Sequence, residues 1–122
     1  MTAKRVAYGA LGFATAGLAI AVVVTQHASW WQPVVFAIAP DITLFFGSRP
    51  GLARGQLDPR AVPFYNAVHR FWAPAVLILS AFLLHGDAWV AAGLAWSAHI
   101  GFDRSLGFGL RNPEGFQRGQ ES

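Results

Sequence analysis

Cysteine is absent from this chain of 122 residues, and charge is scarce. Without thiols there is no disulfide and no thiolate metal site. Charged residues make up 12% of the chain, about half the share of an ordinary soluble domain. A chain so poor in charge hides much of itself from water. The net charge of +3 would in another arrangement suggest a nucleic-acid partner. Its distribution, described below, speaks against one. There is also no internal repeat, no phosphate-loop pattern and no H-E-x-x-H metal motif. The length is that of one domain.

Apolar residues, in contrast, make up 54% of the chain and gather into four stretches. Val6–Val24 runs 19 residues without a charge. Trp30–Phe46 is interrupted by Gln32, Asp41 and Thr43. Ala61–Leu84 carries Asn66, His69 and Arg70 near its start. The fourth is apolar over Ala88–Phe102, with Ser97 and His99 near its end, and extends through Asp103 and Arg104 to about residue 106. A helix rising about 1.5 Å per residue needs about 20 residues to cross a hydrocarbon core of about 30 Å. The first and third stretches meet that length, and the second and fourth are short of it. The expected fold is therefore an all-α bundle of four transmembrane helices, spanning about 6–24, 30–46, 61–84 and 88–106.

The basic residues orient it. Lys4 and Arg5 precede the first span, Arg49, Arg54 and Arg60 lie in the loop 47–60, and Arg104, Arg111 and Arg118 end or follow the fourth. The connections 25–29 and 85–87 contain none, and Arg70 alone lies inside a span. The positive-inside rule then makes both termini and the loop 47–60 cytoplasmic. Trp30, Trp31 and Trp89 fall at the outer interface, and Tyr8 and Tyr65 near the inner one. The expected location is a bacterial cytoplasmic (inner) membrane, crossed several times. The first span is longer than a signal-peptide core and lacks a clean cleavage site after it, so it reads as an anchor.

The Gly-, Pro- and Arg-rich loop 47–60 reads as a turn-forming contact with anionic headgroups, and the polar tail 112–122 as mobile. Gly9, Gly12, Ala16 and Gly17 recur at helical spacing along span one. Such small residues let helices approach closely, within one chain or in a homo-oligomer. His27 and His85 lie at the outer boundary and read as interfacial.

The remaining polar residues share one depth. Asp41, Asn66, His69, His99 and Asp103 come from three spans, yet all fall within about two turns of the cytoplasmic boundary. Asn66 and His69 are spaced i, i+3, and His99 and Asp103 i, i+4, so each pair shares a helix face. Pro40 predicts a kink just before Asp41. A carboxylate inside a membrane costs about 2.5–3.5 kcal/mol on insertion scales and turns toward a partner or water. One such pair alone would read as interhelical glue. Five groups on three helices point instead to a site that handles a metal or protons. Asp41, His69, His99 and Asp103 suit a divalent Zn, Fe or Mn ion. Asn66 is then a neighbouring donor, and with Asp41 and Asp103 a candidate catalytic group. Arg70 and Arg104 each follow a candidate ligand. They either reach for headgroups or clamp an anionic substrate, and Arg70 is the deeper of the two.

Three segments carry a resemblance: "PDITLFFGSRPG" (40–51), "YNAVHRFWAPA" (65–75) and "WSAHIGFDRSLGFGLRNPEGF" (96–116). They resemble a family of small bacterial integral-membrane proteins classed as a domain of unknown function, the DUF4260-like proteins. The third motif is the most specific, with Trp96, His99, Gly101, Asp103, Arg104, Gly107, Gly109, Asn112-Pro113 and Gly115-Phe116. Phe108 stands where the family usually has Tyr, and Arg111 where it often has Lys. The resemblance implies a four-helix membrane fold with a shared polar site and brings no activity with it. More loosely, Asp and His on adjacent spans resemble small membrane-bound metal-dependent hydrolases.

These readings lead to one expectation: a membrane-embedded, metal-dependent, hydrolase-like enzyme acting on a lipid or isoprenoid-type substrate. The alternatives are a proton- or ion-coupled transport or channel element, and a metal-free binding or structural protein. A relay across the membrane needs polar groups in both leaflets, and the outer half of each span has almost none. The orientation is open to test. A cysteine at Ser29 should react with an impermeant thiol reagent in intact cells, and cysteines at Gly55 or Ser122 should not. Labelling of Gly55→Cys from outside would reverse the topology and remove the shared depth of the polar residues.

Overall fold

The computed structural model describes residues 2–118, and among them the chain is all-helical. Helix α1 spans Ala3–Gln26, α2 Trp31–Ile38, α3 Ile42–Phe46, α4 Val62–Val68, α5 Trp72–Leu83 and α6 Asp87–Ser105. Short 3₁₀ turns at Ala39–Asp41 and Pro59–Ala61 lead into α3 and α4. Thr2 caps α1 by accepting from the Arg5 N–H.

Helix α6 is the centre. Helices α1, α2 and α5 all pack on it. Its buried residues are mostly small: Ala91, Ala92, Gly93, Ala95, Ser97, Ala98 and Gly101, together with Ile100. This composition explains why the fourth span is only weakly hydrophobic in sequence. A helix enclosed by others needs small side chains for close approach more than bulk. The tightest crossing is with α1. A Cβ on Gly101 would lie 2.9 Å from the Tyr8 carbonyl oxygen and 3.0 Å from the Gly12 nitrogen. A Cβ on Gly12 would meet the Phe102 ring at 2.8 Å. Gly9 and Gly12 of the small-residue stripe are thus used inside the chain, whereas a Cβ on Gly17 would meet nothing within 4 Å.

Two of the four expected spans are not single helices. The second is divided into α2 and α3 by the 3₁₀ turn at Pro40, where the kink is expected. The third bends by 44° between α4 and α5. The cause is Pro74. It has no N–H for the Arg70 carbonyl, and its ring crowds that carbonyl, so a helix cannot run smoothly through residues 69–71. By length and composition, α1 is the one described helix able to cross a membrane, and the bent pair would make a second if taken as one span. The outer faces of α1, α2 and α5 nevertheless expose large apolar side chains, including Phe13, Leu18, Ile38, Leu79 and Phe82.

Residues 110–118, which include the start of the polar tail 112–122, form a hook docked on the loop 47–60. Residues 119–122 lie outside the described residues. The Asn112 N–H donates to the Phe116 carbonyl at 2.8 Å, closing the turn. The Leu57 N–H then donates to the Gly115 carbonyl at 2.9 Å. At Gly115 φ is +103°, and a Cβ would overlap the Leu57 carbonyl oxygen, so only glycine fits. The loop itself is fastened by Asp58, whose carboxylate accepts from Arg60 at 2.9 Å and Arg49 at 2.8 Å. Those hydrogen bonds hold the Asp58 carboxyl well below the usual carboxylate range.

The α1–α6 crossing gives a paired prediction. Gly101→Ala should lower stability by about 1–3 kcal/mol, since the facing atoms are backbone and cannot yield. Gly17→Ala should be neutral or gain up to about 1 kcal/mol from helix propensity. Unfolding midpoints in a detergent titration would separate them. Equal midpoints would mean that the close crossing is absent.

Candidate metal centre

The two helix breaks meet face to face with α6. Asp41 ends the 3₁₀ turn after α2, His69 follows the last residue of α4, and His99 and Asp103 lie one turn apart on α6. The His69 Nε2 lies 3.3 Å from Asp41 Oδ1 and 3.4 Å from Asp103 Oδ2. The His99 Nε2 lies 3.1 Å from the same Asp41 oxygen and 3.2 Å from the same Asp103 oxygen. One ligand atom from each of the four residues falls within 4.8 Å of all the others, an arrangement able to hold a metal ion.

The other ring nitrogens explain how this arrangement is fixed. In a regular helix the Tyr65 carbonyl would accept the His69 N–H. At the end of α4 that N–H turns to the Asn66 carbonyl instead, at 3.3 Å. The freed Tyr65 carbonyl takes the His69 Nδ1–H at 2.8 Å. Likewise the His99 Nδ1–H donates to the Ala37 carbonyl at 2.7 Å, beside the break at Pro40. A carbonyl can only accept, so Nδ1 carries the proton in both rings. In the neutral ring Nε2 then presents a lone pair. Both lone pairs face carboxylate oxygens, which are acceptors too. Four acceptors converging without a donor repel one another unless protons or a cation lie among them.

Other side chains on α6 fill the gaps left by the break between α4 and α5. The Trp96 indole N–H donates to the Val68 carbonyl at 2.7 Å, and the Arg104 guanidinium to the His69 carbonyl at 3.2 Å. The Arg104 guanidinium also lies over the rings of Tyr8 and Phe71, at 5.3 and 5.0 Å from their centres. The Tyr65 ring stacks on His69 with centres 4.0 Å apart, holding the imidazole plane.

The imidazoles are the sheltered members: the side chain of His69 is 3% exposed and that of His99 10%, against 44% for Asp41. Several openings reach the cluster, and two of them are lined by Asp103. A groove of about 370 Å³ with apolar walls, including Ala16, Ile20, Pro33, Val34 and Ala37, ends at His99 and Asp103. A chamber of about 170 Å³ under the C-terminal hook reaches Asp41 and Asp103 from another side, and is also lined by Tyr65, Arg111 and Gln117.

Three sequence-selected residues stand elsewhere. Asn66 does not join the cluster: its side chain brackets the Arg111 backbone, accepting from the N–H at 2.8 Å and donating to the carbonyl at 3.0 Å. It fastens the hook. Arg70 is exposed and lines neither opening. Arg104, which read as the more peripheral arginine, is the one enclosed in the fold. The swap follows from the bend, which turns residue 70 away from the helix face that His69 continues. Trp96 and Arg111 were not singled out as site residues. Pro74 is the signal that would have pointed to a helix break there, beside which the Val68 carbonyl meets Trp96. No local signal marks Arg111, because a distant contact brings it in.

A helical chain of this kind, with a two-histidine, two-aspartate cluster at the meeting of broken helices, matches one family model. It is described as a domain of unknown function (DUF4260) and matches residues 9–120. The chain belongs to that family, and the matched range contains all four clustered residues. No curated protein and no solved structure matches the chain.

Proposed function

We propose that the protein is a membrane-embedded, metal-dependent enzyme, hydrolase-like, acting on a lipid or isoprenoid-type substrate near the cytoplasmic face of the membrane. One observation carries this reading: both imidazoles spend their Nδ1 protons on backbone carbonyls and aim Nε2 at two carboxylates. That is the usual bonding of metal-bound histidine, whose second nitrogen donates to a carbonyl or carboxylate that fixes its tautomer. The spacing is compatible: the four nitrogen–oxygen separations run from 3.1 to 3.4 Å, and one ligand atom of each residue lies within 4.8 Å of the others, close enough to share one ion.

A divalent Zn, Fe or Mn ion at this point supplies Lewis acidity and lowers the pKa of a water beside it. His69, His99 and Asp103 are the anchored ligands. Asp41, the fourth member of the cluster and its most exposed, would stand beside the ion as the general base. The outward apolar side chains of α1, α2 and α5 support a four-span arrangement in lipid, since soluble monomers seldom leave so much contiguous apolar surface uncovered. The pairing of Val68, His69 and Ala37 carbonyls by side chains of α6 supports it further. A free carbonyl in hydrocarbon costs several kcal/mol. The groove with apolar walls suits a hydrocarbon chain entering from the bilayer.

The test is metal content together with turnover, on protein in nanodiscs offered single-chain ester and phosphoester amphiphiles. His99→Ala should lose most of its metal and its hydrolysis. Asp41→Asn should retain most of the metal and lose turnover by about 10²-fold or more, as loss of a general base does. Wild-type protein that hydrolyses these substrates equally well after chelation, or that holds no metal, would overturn the proposal.

A further inference from the structure

We infer that the ligand of this site is a single-chain amphiphile with a phosphate head, its chain in the apolar groove and its head in the chamber beneath the C-terminal hook, bound by Arg111. The inference rests on the metal reading above and adds the head group and the residue that recognises it.

The chamber holds the Arg111 cation, which makes no ion pair among the described residues. Among the described residues no carboxylate lies within 4.0 Å of the Arg111 guanidinium nitrogens. The Arg111 Nε is buried and has no hydrogen-bond partner among the described residues. Such a buried N–H is costly until it meets an acceptor. The rest of the group is held in place. One terminal nitrogen donates to the Gly55 and Gly115 carbonyls at 3.0 and 2.8 Å, and the guanidinium carbon sits 4.8 Å above the Tyr65 ring. A guanidinium so held is a cation of the kind that binds phosphate oxygens. Arg104 also has a buried Nε without a partner, but it lines neither opening.

Charge selects the same ligand. A divalent ion balances Asp41 and Asp103, and Arg111 then leaves the chamber positive. Without the ion the two carboxylates would repel an anion from that space. Asp103 lines both openings and is the wall between them, so a head in the chamber and a chain in the groove would meet at its carboxylate. Gln117 lines the chamber as well, placed by its hydrogen bonds to the Gly109 N–H at 2.9 Å and the Tyr65 hydroxyl at 3.2 Å.

The test is calorimetric binding to full-length, metal-loaded protein in neutral phosphatidylcholine nanodiscs, with three probes: geranyl phosphate, geraniol and inorganic phosphate. Geranyl phosphate should bind at least tenfold tighter than either partial probe. Arg111→Gln should weaken it at least tenfold, leave geraniol unchanged and keep the wild-type metal ratio, which also reports an intact site. Ile20→Trp, which blocks the groove from an exposed position, should weaken geranyl phosphate but leave inorganic phosphate unchanged. Metal-loaded Arg111→Gln that binds geranyl phosphate as wild type does would overturn this inference while leaving the metal centre standing. A wild-type protein with no metal before any probe is added would remove the metal reading first. Geraniol binding as tightly as its phosphate would overturn the head-group assignment alone.

Discussion

Two backbone carbonyls, those of Tyr65 and Ala37, determine the chemistry of the cluster. Each lies beside a helix break, and each accepts the Nδ1 proton of a histidine. This single type of bond sets the tautomer of both rings, and the tautomer sets the direction of both Nε2 lone pairs. Were either carbonyl tied into a regular helix, its ring would be free to turn or to protonate at the other nitrogen. The breaks are therefore part of the site. Pro40 makes one and Pro74 the other, in each case by withholding an N–H from the preceding turn.

Helix α6 converts those breaks into a stable core. Its small residues let α1 approach to backbone contact at Gly101, and let α2 and α5 close around it. From this one helix come two of the clustered side chains, His99 and Asp103, and two that repair the broken third segment, Trp96 and Arg104. A single rigid element thus positions half of the cluster and anchors the segment carrying His69. Such support keeps convergent polar groups in register. The carboxylates, less enclosed than the imidazoles, face the two openings, so the sheltered groups hold position and the open ones meet what enters.

Much of this was legible in residue spacing. His99 and Asp103 one turn apart, a proline before Asp41, and the expectation of a common depth for His69 all follow from periodicity and basic-residue asymmetry. The geometry does bring those four together. The arginines were less legible. Their roles depend on where the third segment bends, and a bend of 44° moves residue 70 off the face that its neighbours share. Asn66 shared the depth of the cluster and the spacing of a ligand. It turned to the Arg111 backbone, 45 residues away, because the hook brings an extended segment with unpaired groups beside it. The hook itself carries no periodic signal. Its fold depends on Leu57 meeting Gly115 and on Asn66 meeting Arg111, contacts invisible to any local pattern.

The measurement that bears most directly on this account is X-ray absorption at the metal edge of protein purified without added metal. The account predicts about one ion per chain, with an inner shell of two imidazole nitrogens and carboxylate or water oxygens at about 2.0–2.2 Å, and with the multiple-scattering pattern of histidine. A metal-free protein, or an ion whose shell contains no imidazole, would contradict it.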